Sequence, residues 1–83
     1  MKRYRIFKVT TINETNNKPI RIKIVDTWRQ DTIIVGYSAE GSSDRVHRAI
    51  EVLKEKGIFI EADGYEFDGS VVYLMTQDFK TRI

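Results

Sequence analysis

The chain has no cysteine, and only one histidine, one proline and one tryptophan in 83 residues. Without cysteine there is no disulfide framework, thiolate zinc site or cysteine nucleophile, and a reducing, cytoplasmic setting fits. No apolar run approaches the roughly 18 residues of a membrane span, and no signal-peptide pattern opens the chain. Neither standard spacing of a glycine-rich phosphate loop occurs. The lone glycines at 36, 41, 57, 64 and 69 fall at expected turns and a helix cap. His47 stands alone, with no carboxylate at a metal-motif spacing, and reads as a helix-flank residue rather than a ligand or general base. The expectation is a protein without catalytic residues, metal or cofactor.

What is present fits one small α+β domain spanning residues 1–83. At 9.7 kDa, 41% hydrophobic and 31% charged, the chain has a globular composition and buries roughly 60% of its unfolded surface. Its net charge of +2 hides an asymmetry. Residues 1–30 carry eight basic groups against two acidic ones, a surplus of +6; residues 31–83 carry six against ten, or −4. Such a division suits either a basic surface that meets an anion or strands that neutralise each other.

Periodicity supplies the elements. Arg3 to about Ile12 is β-branched and aromatic and reads as a strand of ambiguous parity: Tyr4, Ile6 and Ile12 favour one face, Phe7 and Val9 the other. After a polar connection and Pro19, the residues Ile20, Ile22 and Ile24 alternate with Arg21, Lys23 and Val25, sending isoleucines to one face and basic groups to the other. Arg29-Gln30-Asp31 reads as a turn, and Thr32 to Ser38 as a third strand. A helix over about 43–56 follows, capped by Ser42 or Ser43, with Val46, Ala49, Ile50 and Leu53 on one stripe and Gly57 as its C-cap. Ala62-Asp63-Gly64 reads as a turn, and Asp68-Gly69 as a hairpin between Tyr65-Glu66-Phe67 and Ser70 to Thr76. That last strand is apolar on both parities, as in an inner strand. The order is β-β-β-α-β-β, a mainly antiparallel sheet with one amphipathic helix on one face, and residues 77–83 are expected to fray.

Three groups of residues are candidate sites. The outward parity of the second strand collects Arg21, Lys23, Thr27 and Arg29, with Arg3, Arg5 and Lys8 extending the patch. Cations about 6.6 Å apart along a strand can follow a phosphate backbone. Trp28 shares the isoleucine parity and is expected in the core rather than as a base-stacking platform. Ser42, Ser43, Arg45 and Arg48 at the helix start make a candidate phosphate site, with ordinary capping as the alternative. Glu61, Asp63, Glu66 and Asp68 form the one carboxylate cluster; its spacing does not match a calcium loop, and solubility of a hairpin explains it.

Three strands followed by a helix, together with Arg21, Lys23 and Arg29, resemble the sheet-type DNA-binding domains at the N-termini of some tyrosine recombinases. The resemblance covers residues 1–57, rests on element order, and implies a sheet face turned toward nucleic acid; the final hairpin departs from it. Two functions follow. One is a non-catalytic, nucleic-acid-binding accessory or regulatory module using the basic sheet face. The other is a protein-interaction module, an inhibitor, adaptor or homodimer, using apolar side chains left on the second sheet face. No membrane partner is expected.

Overall fold

Alternation of apolar and polar residues builds the sheet that periodicity implied. The computed structural model describes residues 3–13, 19–36, 45–66 and 70–83. Strands β1 (Arg5–Ile12), β2 (Arg21–Asp26) and β3 (Thr32–Gly36) precede helix α1 (Arg45–Glu55), and β4 (Ala62–Tyr65) and β5 (Val72–Thr76) follow it. They form one five-stranded sheet in the order β3-β2-β1-β5-β4, antiparallel at every pairing. This is a single small α+β domain. β1 is central, so the first three strands and the last two meet across it.

The parity of β1 resolves toward Phe7 and Val9. These join Ile22 and Ile24 of β2 and Val72 and Leu74 of β5 on one face, all fully buried. Ala49, Val52 and Leu53 of α1 lie against this layer, as does Ile58 just beyond the helix. Full burial of each large side chain contributes about 1.5–3 kcal/mol. Ile20 lies outside β2 and is half-buried.

The end of α1 is set by Gly57. Its φ of 92° lets its N–H reach the carbonyl of Lys54 at 2.9 Å, while the N–H of Ile58 reaches that of Leu53 at 2.9 Å. This paired closure satisfies carbonyls that the helix would leave bare and brings Ile58 onto Leu53. The start expected at residue 43 lies outside the described residues.

Three expectations need correction. Ala62-Asp63-Gly64 is strand rather than turn, because it pairs with β5 from Ala62↔Met75 to Tyr65↔Val72. Trp28 is 48% exposed; β2 ends at Asp26 and the chain turns over residues 27–29, so strand parity no longer governs it. Residues 77–83 do not trail into solvent. Asp78 and Thr81 accept hydrogen bonds from Arg5 Nη1 at 3.0 and 2.6 Å, Phe79 packs edge-on against Trp28, and Ile83 packs against the core. The cause is Arg5, whose inward parity puts a cation where acceptors are required.

Candidate nucleic-acid interface

The pleat that carries Phe7 and Val9 inward turns the even residues of β1 and the odd residues of β2 to the opposite, helix-free face. Lys8, Arg21 and Lys23 therefore share it. Lys8 stands opposite Val25, and Lys23 opposite Thr10, so the two lysines are diagonal neighbours about 7–8 Å apart at their bases. Both are exposed, and Arg21 is half-buried. Among the described residues, no carboxylate forms an ion pair with any of the three. The buried Nε of Arg21 has no hydrogen-bond partner there either. Apolar side chains interleave with these cations: Ile34, 51% exposed, stands opposite Lys23 on β3. Tyr73 stands opposite Lys8 on β5 and donates its hydroxyl to Glu66 at 2.6 Å, so a carboxylate borders this face on the β4 side; the bond raises the Tyr73 pKa.

The remaining expected cations do not join that face. Arg5 is a correction: its side chain is wholly buried and ion-paired with Asp26, Nη2 to Oδ2 at 2.5 Å and Nε to Oδ2 at 3.2 Å. It cannot reach a ligand in this fold. Burial pushes the Asp26 carboxyl up, but the Arg5 hydrogen bond, the N–H groups of Arg29 and Trp28 and the Arg5 charge outweigh it, leaving the pKa below its ordinary value. Thr27 is exposed, yet its hydroxyl already donates to the carbonyl of Ile6 at 2.7 Å.

Arg3 and Arg29 meet at the end of the sheet instead, with two aromatic rings. The Arg29 guanidinium lies 4.6 Å from the centroid of Trp28, and its Nη2 donates to the carbonyl of Phe79 at 3.4 Å. Trp28 and Phe79 meet at 86° with centroids 5.1 Å apart, and Arg3 sits 5.9 Å above Phe79. Arg3, Trp28 and Phe79 line a pocket of about 310 Å³. Phe79 was missed because its segment looked like a polar end; one aromatic among Gln77, Asp78, Lys80 and Thr81 was the available signal. Asp78 fixes this segment by accepting from the N–H of Thr81 and Lys80, which lowers its pKa to about 2.

The candidate phosphate site is described only in part, since Ser42 and Ser43 lie outside the described residues. Arg45 donates to Thr11 Oγ1 at 3.0 Å. Arg48 donates to the Gly36 carbonyl and to Glu51 at 3.3 and 3.0 Å. Both arginines thus contact the protein itself. The carboxylates are separately engaged: Glu61 accepts from the N–H of Gln77 and Asp63 from the Tyr65 hydroxyl, while Asp68 lies outside the described residues. Among the described residues no group of three or more histidines, cysteines and carboxylates is placed to hold a metal ion. Nor is any described helix long and apolar enough to cross a membrane. Comparison with protein-family models, curated proteins and solved structures finds no match.

Proposed function

We propose that this chain is a small nucleic-acid-binding module that meets the phosphate backbone with the helix-free sheet face. The observation that supports it is the grouping of Lys8, Arg21 and Lys23 on one face without a carboxylate partner among the described residues. Exposed cations that already have partners gain little from a ligand, whereas unpaired ones release counterions when phosphate arrives. With three phosphates neutralised, affinity for a single strand falls with salt at a log–log slope of about −2. Replacing Lys23 by Gln lowers that slope by about 0.7 without unfolding the chain, because Lys23 is solvent-facing. Fluorescence anisotropy with a labelled oligonucleotide across a salt series tests both statements. Binding that is absent at low salt, or indifferent to salt, removes this function.

A second reading has its own support. Ile34 is half-exposed on the face that also carries Val25 of β2, Ile6 of β1 and Met75 of β5, so the face also suits a protein partner or a second copy of the chain. Concentration-dependent sedimentation, unaffected by oligonucleotide and abolished by Ile34→Lys, is the outcome that favours it.

A further inference from the structure

We infer that the pocket between Arg3, Trp28 and Phe79 takes one unpaired nucleobase of a bound strand; this rests on the nucleic-acid reading and assigns it a second contact. Two walls of the pocket are aromatic, and the third residue at its surface is an exposed guanidinium. A second guanidinium, that of Arg29, lies over the Trp28 ring and adds positive charge close to the site. The nearby carboxylates are already committed: Asp26 to Arg5 and the 27–29 turn, Asp78 to the N–H groups of Lys80 and Thr81. The lining therefore offers flat apolar surface and positive charge together, which matches a planar ring carrying a phosphate.

Size and position narrow the ligand. About 310 Å³ lies at the low end of the roughly 300–1,000 Å³ typical of small-ligand clefts, enough for one nucleoside and too little for a duplex. A base held in a duplex must leave its stack to enter such a pocket, so single strands are favoured. The pocket gathers round the inward-facing Arg5, whose guanidinium lies 5.7 Å from the Trp28 ring and bonds the carbonyls of residues 78 and 81, so it lies at the end of the sheet and not on the cationic face itself. Lys23 and Trp28 are five residues apart in sequence, which bounds their separation at about 17 Å, and a strand whose phosphates contact Lys8 and Lys23 brings a neighbouring base to the pocket by passing round the end of β2.

Trp28 is the only tryptophan in the chain, so its emission reports directly on this site. Titration with a short oligothymidylate is expected to quench Trp28 with the same midpoint as anisotropy. A duplex of equal length should bind without quenching. Phe79→Ala should weaken single-strand binding roughly tenfold. Because Phe79 also packs on Trp28, Arg3→Gln is the companion variant; Arg3 is exposed, and its loss should weaken binding and the quench while circular dichroism stays unchanged. Strand binding with unchanged Trp28 emission, or equal quenching by duplex, overturns the pocket and leaves the sheet face standing. Quenching by thymidine monophosphate but not by the oligonucleotide overturns the strand as the ligand. No binding by either readout overturns both.

Discussion

Arg5 occupies a position that strand alternation assigns to the interior, and its surroundings answer the cost of a buried cation. One carboxylate oxygen of Asp26 takes two of its donors, and the carbonyls of residues 78 and 81 take a third. The other Asp26 oxygen holds the N–H groups of Trp28 and Arg29, so one side chain both neutralises Arg5 and shapes the 27–29 turn. Asp26→Asn is expected to destabilise the fold by about 3–5 kcal/mol, since Arg5 then keeps its charge without compensation. Adding Arg5→Met should recover part of that loss, because Asn still supports the turn. Urea unfolding of the three proteins measures this; equal stability of Asp26→Asn and the parent would show that the pair carries nothing. The competing alternations of β1, Tyr4, Ile6 and Ile12 against Phe7 and Val9, left the direction of Arg5 open in the sequence, and its acceptors lie 21, 73 and 76 residues away.

At the scale of elements, legibility followed locality. The repeat in β2 placed Ile22 and Ile24 inside, and the 100° stripe placed Ala49 and Leu53 against the sheet, because both patterns depend on residues a few positions apart. The C-cap was equally local. At φ 92° a side chain is strained even where space is open, and nothing lies within 4 Å of a Cβ added at Gly57. Gly57→Ala is therefore expected to cost about 1 kcal/mol through backbone strain alone. A thermal melt that matches the parent would deny the glycine this role. By contrast, Ala62–Tyr65 carries turn-like residues and becomes strand only through its partner β5, a tertiary override of local propensity. Trp28 was misplaced for a related reason: parity holds only while a strand continues.

For the whole molecule, acid stability follows from two carboxylates. Asp26 and Asp78 both have pKa values below the ordinary 3.8, that of Asp78 at about 2. A carboxylate depressed in the folded state stabilises it fully above the unfolded pKa and loses that contribution as pH falls through the folded one. Stability should therefore stay level from pH 7 down to about pH 4 as far as these groups decide it, then fall toward pH 2. Asp78→Asn should make that acid fall shallower. Unfolding midpoints across the range test it, and a loss that begins well above pH 4 would show that other groups set the acid limit. The candidate sites were only partly legible on this scale. Charge counting found the basic surplus of residues 1–30, but strand order divided it among an open face, a buried pair and an aromatic pocket.

The central place of β1 carries one more consequence. Its second neighbour is β5, and the acceptors that quench its buried charge come later still. A nascent polypeptide halted before residue 72 would hold a half-built sheet with a naked edge and an unquenched guanidinium. Synthesis through residue 81 must precede closure, which makes assembly a post-emergence event driven by encounters between distant parts of the chain.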